Sequence, residues 1–210
     1  MTMKKITSEE ELRALLGKPH AVTQQKIYDH LNDRAHDFIN RSPLFFIASY
    51  GSEGGATVSP KGDAPGLINI IDQHTLIIPD RPGNKLLHGH SNILQTGQIG
   101  LIFLIPGTEE TLRVNGSAEL FTDDALSQTL KANGKPALLL IQVTIKQCFF
   151  HCAKAFKRSQ AWHPEAWPEP FHVSFGKEIA GNSKKGGKIA AKATEMVVEQ
   201  AVKADYKFNL

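Results

Sequence analysis

Residues 44–79 read LFFIASYGSEGGATVSPKGDAPGLINIIDQHTLIIP, and this stretch decides the fold. Short runs of β-branched and aromatic residues alternate in it with turn residues, at GSEGG, KGDAPG and DQH. Such an alternation is typical of β-strands joined by turns. Because the connections are too short to contain a crossover helix, we predict that neighbouring strands pair antiparallel.

Three further strand-like runs follow, namely IGLIFLIP from Ile99, ETLRVNGSAELF from Glu110 and PALLLIQVTIKQCFFH from Pro136. Few helical segments are inserted between these runs. An antiparallel sheet of about six or seven strands removes its exposed edges by closing on itself. We therefore predict a mainly β fold, an antiparallel β-barrel with peripheral helices.

Helical patterns precede this region. Thr7 and Glu10 have the spacing of a capping box for a first helix, which Gly17 ends. A single second helix is predicted over about residues 22–40, where apolar residues recur at helical spacing. These helices, residues 1–43, are expected to pack on the barrel, which covers residues 44–170.

Further helices are predicted inside and after the β region. Asn84 is placed to cap a helix that contains Leu86 and Ile93, and another helix is expected over about residues 123–132. After Ala153 the basic segment KAFKRS predicts a helix that leads into a proline-rich arm. Residues 171–210 are expected to form a C-terminal arm and helix, in which the polar segment GNSKKGG precedes a helical stripe.

The composition excludes several classes of protein. A formal net charge of +3 over 210 residues is far below that of a dedicated nucleic-acid binder. The only two cysteines, Cys148 and Cys152, cannot form a disulfide framework, which indicates a reducing compartment. We find no signal peptide and no apolar run long enough to span a membrane. We therefore expect a cytoplasmic protein without nucleic-acid or membrane partners.

Residues 59–92 contain the strongest candidate for a binding site. Lys61, Arg81 and Lys85, together with Asn84 and several glycines, lie at the ends of short β-like runs. Cationic side chains and free backbone N–H groups hold a phosphate well. The spacing therefore indicates a phosphate site, although solvated surface charges would give the same pattern.

Other residues admit two interpretations each. Cys148, His151 and Cys152 could be three metal ligands, but no second cysteine pair completes a site, so we predict buried cysteines and no metal. Trp162 and Trp167 could anchor the arm to the core or stack on a planar ring. No local signature indicates a Ser-His-Asp or Cys-His-Asp arrangement, so no catalytic residue is assigned.

Ordered motifs over about residues 44–162 resemble the pyridoxamine 5′-phosphate oxidase-like family of FMN-binding split-barrel proteins, and are closest to a bacterial flavoprotein subgroup within it. The motifs are SPKGDAP from Ser59, IPDRPGNKL from Ile78, SNIL from Ser91, GLIFLIPG from Gly100, ETLRVNG from Glu110 and CFFHCAKAFKRSQAW from Cys148. The resemblance implies a six-stranded antiparallel split barrel. It also implies a homodimer with one FMN in each of two clefts between the subunits.

The resemblance further implies a set of cofactor-binding residues that two subunits share. They are Ser59 and Lys61 beside the flavin ring or ribityl chain, Arg81, Asn84 and Lys85 at the FMN phosphate, Arg113 near the cofactor, and Lys154, Arg158 and Trp162 from the partner subunit.

These expectations indicate an FMN-dependent oxidoreductase that transfers hydride or electrons to a small-molecule substrate, with a nicotinamide or deazaflavin cofactor as the candidate electron donor. Neither residues 171–187 nor the terminal helix contains the Arg-x-His motif that grips the substrate phosphate in true pyridoxamine 5′-phosphate oxidases. That activity itself is therefore disfavoured. The alternative is a non-catalytic protein of the same fold that binds flavin or haem for storage or sensing, with His151 or His172 as the haem-binding residue.

Overall fold

A computed structural model describes residues 3–182 and 188–209. The helices are α1 (Glu9–Leu16), α2 (Ala21–Gln24), α3 (Asp33–Arg41), α4 (His88–Thr96), α5 (Asp124–Thr129), α6 (Lys154–Ser159), α7 (Phe175–Asn182) and α8 (Lys188–Asn209). The strands are β1 (Leu44–Tyr50), β2 (Ala56–Gly62), β3 (Asn69–Asp72), β4 (Thr75–Asp80), β5 (Gln98–Leu104), β6 (Thr111–Phe121) and β7 (Leu139–His151). Most of the predicted segment GNSKKGG, residues 183–187, lies outside the described residues.

The strands form one antiparallel sheet in the order β2-β1-β5-β6-β7-β4-β3. The prediction of a mainly β antiparallel fold with peripheral helices is therefore confirmed. The six strands that the family resemblance implied are one too few. The sheet has seven, the upper number given by the strand-like runs, and β3 is the short strand beside β4. In the described part of the chain the sheet has two outer strands, β2 and β3, which no backbone pairing joins.

The larger of two hydrophobic clusters among the described residues lies against one face of this sheet. Its buried side chains come mainly from five strands, from α3 and from α4, and include Phe45, Ile78, Leu101, Val114, Val143, Ile39 and Ile93. Because strands at distant positions in the order contribute to the same core, the sheet is curved around it. Burial of apolar area on this scale is the main stabilising term of the fold.

The N-terminal region differs from the predicted pair of helices. Ser8, not Thr7, caps α1 by accepting a hydrogen bond from the backbone N–H of Glu11. Gly17 ends α1 as predicted, with a φ of 79° that favours glycine.

The single helix predicted over residues 22–40 is interrupted. The backbone of Tyr28 exchanges two hydrogen bonds with Cys148 of β7, at 2.9 and 2.7 Å, and a new helix begins only after the N-cap Asn32. The helical periodicity was a local signal. The backbone pairing with the distant residue Cys148 overrides this signal, and a pattern over neighbouring residues cannot reveal such a pairing.

The prediction that Asn84 caps a helix is also wrong. Its side-chain oxygen accepts a hydrogen bond from the N–H of Leu86 at 3.1 Å, which forms a local turn. The helix α4 begins four residues later, at His88, without a side-chain cap.

Polar contacts fix α4 on the first hairpin. Asn92, in the SNIL motif, donates to the carbonyl of Gly55 at 3.2 Å and to the Ser49 hydroxyl at 3.3 Å. Thr96 donates to the carbonyl of Tyr50 at 2.6 Å. Asn92 therefore has a structural role in positioning α4 beside β1 and β2.

At the C-terminal end, α7 and α8 pack against each other. The Ser174 hydroxyl donates to Glu199 of α8 at 2.6 Å. No helix within residues 3–182 and 188–209 has both the length and the apolarity that a bilayer crossing requires.

Candidate functional site

The ends of β2 and β4 meet in an ion pair. The ammonium of Lys61, at the end of β2, donates to Oδ1 of Asp80, the last residue of β4. Asp80 is buried. Since β1, β5, β6 and β7 separate the two strands in the sheet, this contact exists only because the sheet curves.

A second ion pair lies next to the first. Nε of Arg81 donates to Oδ2 of Asp63 at 2.8 Å, and about a fifth of each side chain is exposed. Lys61 and Asp63 belong to one segment, and Asp80 and Arg81 to the other. Each segment therefore supplies one cation and one anion, and each cation is paired with the anion of the opposite segment.

The helix α4 adds a third group. Nε2 of His90 lies 3.0 Å from Oδ2 of Asp80, so both carboxylate oxygens of Asp80 are engaged. The three side chains join β2, β4 and α4 at one point.

The guanidinium of Arg81 is only partly satisfied. Both Nη1 and Nη2 are buried and have no hydrogen-bond partner among the described residues. An arginine presents five N–H donors in a rigid fork, and Asp63 accepts only from Nε. Leaving buried donors unpaired costs about 1–3 kcal/mol, so this position fits an anion with several acceptor oxygens.

A cavity of about 880 Å³ adjoins these groups. Its wall consists of Phe45, residues 60–68, parts of residues 79–83 and parts of residues 131–136. The charged residues of the wall are Lys61, Asp63, Arg81, Lys131 and Lys135. A volume of this size is within the range of small-molecule and cofactor sites, about 300–1,000 Å³. The excess of cations favours an anionic ligand.

A family model described as pyridoxamine 5′-phosphate oxidase matches residues 31–152, which is more than half of the chain. The chain belongs to the pyridoxamine 5′-phosphate oxidase-like family of FMN-binding split-barrel proteins. The resemblance stated from the sequence motifs is confirmed.

Among solved structures, that of HupZ from Group A Streptococcus is 18% identical over 57% of this chain and 93% of HupZ, with a TM-score of 0.47. An FMN-binding protein from Syntrophomonas wolfei is 12% identical over 69% of this chain and 97% of its own, with a TM-score of 0.41. A structure described as F420 reductase is 15% identical over 58% of this chain and 98% of its own, with a TM-score of 0.41. No protein with a curated function matches the chain.

The structure brings together some of the residues that the family resemblance implied. Lys61 and Arg81 line the cavity. Ser59 lies half-buried on β2, two residues before Lys61, so both side chains are on the core-facing side of the strand. Asn84 and Lys85 follow Arg81 in an exposed loop and are not part of the cavity wall.

Arg113 lies on the other face of the sheet. Its neighbours along β6, Leu112 and Val114, are buried in the core, so the side chain between them points away from it. The guanidinium lies 5.7 Å from the ring centroid of Phe149. Within one chain, Arg113 is therefore separated from Lys61 by the sheet.

The three residues assigned to the partner subunit lie on or after α6. Lys154 and Arg158 are exposed. Trp162 stacks on Phe156 with a centroid distance of 5.5 Å, and its indole N–H donates to the carbonyl of Thr108 at 2.9 Å. Trp162 thus anchors the α6 segment to the loop between β5 and β6 of its own chain.

Sequence reasoning missed the acidic half of the site and one part of the cavity wall. The missed residues are Asp63, Asp80, His90, Lys131 and Lys135. A signal existed for the acids, because Asp63 follows Lys61 by two residues and Asp80 directly precedes Arg81. The two lysines are about fifty residues further along the chain, and no local pattern connects them to the site.

The cysteines contribute no metal site in the described part of the chain, where no three His, Cys, Asp or Glu side chains are grouped to hold an ion. Cys148 is buried as predicted, and burial raises the pKa of its thiol to about 11. The prediction that Cys152 is buried as well is wrong, because the chain leaves β7 at His151 and exposes it.

Proposed function

We propose that the chain is an FMN-dependent oxidoreductase that transfers hydride or electrons to a small-molecule substrate. The observation that supports this most directly is the buried, unpartnered pair Nη1 and Nη2 of Arg81 beside a cation-rich cavity. Family membership supplies the class of ligand, a flavin.

The phosphate of FMN fits the chemistry of this position. A phosphate monoester carries a charge of about −2 near neutral pH and presents three acceptor oxygens. The fork of Arg81 can donate two parallel hydrogen bonds to such a group. Lys61 adds positive charge at the same cavity, and we propose that Asn84 and Lys85 contact the phosphate from the loop that follows Arg81.

When bound, FMN would supply the hydride or single-electron chemistry. The residues of the chain then have to bind the cofactor, orient it and shield it from water. We propose that Ser59 and Lys61 lie beside the ring or ribityl chain. Asp80 holds the ammonium of Lys61 in place, and His90 contacts the other oxygen of the same carboxylate.

We also propose that the protein is a homodimer in which the partner completes the site. In its own chain Arg113 faces away from the core, and Lys154 and Arg158 project from α6 into solvent. This supports the expectation that they serve a cofactor held between two subunits. The exposed apolar side chain of Leu94 on α4 supports a subunit interface at this helix.

A spectrum and a titration test the proposal. The purified full-length protein is titrated with FMN and with riboflavin while flavin fluorescence is followed. The loaded protein is then mixed anaerobically with reduced nicotinamide or reduced deazaflavin cofactor. We expect FMN binding, and bleaching of the flavin band by one of the donors.

The outcomes separate the alternatives. A protein that takes up no FMN contradicts the proposal. A protein that binds FMN but is reduced by neither donor favours the non-catalytic role. A Soret band after haem addition, lost on replacement of His151 or His172, would favour a haem-binding role. Oxidation of pyridoxamine 5′-phosphate is not part of the proposal, since residues 171–187 and the helix after them contain no Arg-x-His motif.

A further inference from the structure

Asp63 stands in an unusual place for a carboxylate. It pairs with Arg81, a residue that lines a cavity favouring anions and whose Nη1 and Nη2 are buried without a partner among the described residues. Its negative charge there weakens the attraction of the site for a phosphate, by Coulomb's law. If Asp63 acted only through its negative charge, it would therefore weaken the binding of an anionic ligand.

The geometry indicates a different role. The carboxylate of Asp63 is held from two sides, since Oδ1 accepts from the N–H of Ala64 at 3.0 Å and Oδ2 accepts from Nε of Arg81 at 2.8 Å. The backbone N–H of Asp63 donates to the carbonyl of Pro43 at 3.0 Å, which ties this loop to the start of β1. The carboxylate of Asp63, which accepts from Nε of Arg81, is therefore held in place by the loop and by the start of β1.

An arginine side chain has many rotamers, so ordering it costs conformational entropy. A fixed acceptor on Nε selects one orientation of the planar guanidinium. In that orientation Nη1 and Nη2 have no protein partner and remain buried. Their donors are left for a ligand.

We propose that Asp63 is a positioning residue, which holds Nε of Arg81 so that Nη1 and Nη2 bind the phosphate group of the flavin and thereby make the site selective for FMN over riboflavin. This inference rests on the proposed FMN function. It assigns the selectivity to a pair of residues and not to the net charge of the cavity.

Two substitutions at this position separate geometry from charge. Asp63→Ala removes both the charge and the acceptor. Asp63→Asn removes the charge but keeps one oxygen for Nε, and the exposed N–H of Ala64 can bind water instead. We expect Asp63→Ala to weaken FMN binding by about tenfold or more, the scale of one hydrogen bond to a charged group. We expect Asp63→Asn to bind FMN as well as the parent protein or more tightly.

The readout is the ratio of FMN to riboflavin affinity, measured by fluorescence quenching on the purified full-length chain. Riboflavin lacks the phosphate, so its affinity should not change in either variant. Asp37→Ala is the matched control, because it removes one exposed carboxylate on α3. A double variant with Arg81→Ala completes a thermodynamic cycle, in which Asp63→Ala should have no further effect once Arg81 is absent.

Three results would overturn the inference. If Asp63→Ala binds FMN as tightly as the parent or more tightly, Asp63 acts by charge alone or not at all. If FMN and riboflavin affinities fall together and the thermal midpoint falls with them, Asp63 only supports the fold. If the parent protein binds no FMN, the proposed function fails, and the inference fails with it. The parent titration alone identifies that third case.

Discussion

Lys61 and Asp80 form an ion pair although four strands separate β2 from β4 in the sheet order. His90 of α4 contacts the second oxygen of the same carboxylate. The site therefore depends on the curvature of the whole sheet and on the placement of α4. Its parts cannot be assembled from any one stretch of the chain.

Asp80→Ala should destabilise the folded protein. The change leaves the partly buried Lys61 and His90 without their acceptor, and we expect a loss of about 1–3 kcal/mol, as for other buried donors that lose a partner. The midpoint of urea unfolding measures it. Asp37→Ala, on the exposed face of α3, should change stability by no more than about 0.5 kcal/mol. Equal effects of the two substitutions would contradict a structural role for the Asp80 cluster.

Arg81→Ala should reduce FMN affinity more than any change in the loop that follows it. Lys85→Ala, which keeps Arg81, should cost about 1.5–3 kcal/mol of FMN binding energy if Lys85 donates to the phosphate. Neither variant should alter riboflavin affinity. Both affinities are available from the same fluorescence titration. A loss of riboflavin binding as large as that of FMN would place the residue away from the phosphate.

Leu94→Glu should shift the proposed homodimer towards monomer. Leu94 is on α4 with 75% of its surface exposed. A charge at this exposed apolar position opposes its burial between subunits. Size-exclusion chromatography with light scattering measures the mass. A monomeric variant that keeps full FMN affinity would contradict a site shared between subunits.

Gly116→Ala should be poorly tolerated. Gly116 ends the RVNG motif at a bulge between β6 and β7, where an added Cβ would collide with the carbonyl oxygen of Thr144. Overpacking of this kind costs about 1–3 kcal/mol. Gly134→Ala tests a different cause, because that glycine has open space and a φ of 77°. Thermal unfolding should show the larger loss at position 116.

Stability should fall between about pH 9 and pH 11 because of Cys148. Burial raises the pKa of its thiol from 9.0 to about 11, so in this window the unfolded chain loses a proton that the folded chain keeps. The contribution is fully present below about pH 9 and is lost as the pH rises through the folded pKa, by about 2–3 kcal/mol at most. Comparing the pH slopes of the parent and of Cys148→Ala isolates it from the titrating lysines and tyrosines. Parallel slopes would show that the thiol is not the cause.

Local signals predicted much of the fold. The turn residues between short apolar runs in residues 44–79 predicted the hairpins, and Gly17 and Asp123 mark helix ends where the structure has them. Local signals failed where another interaction competes with the predicted helix. Tyr28 pairs its backbone with Cys148 of β7 and so interrupts the predicted helix. The side chain of Asn84 accepts a hydrogen bond from the N–H of Leu86 in a turn and does not cap α4.

The sequence by itself determined the antiparallel β class, the family and the cations at Lys61 and Arg81, because these depend on residues a few positions apart. Only the tertiary structure decided that Asp63 and Asp80 bind those cations crosswise, that Arg81 keeps two buried nitrogens unpaired, and that Arg113 lies on the other face. The physical reason is that curvature and register of the sheet, set by packing of one core, bring together groups from distant parts of the chain.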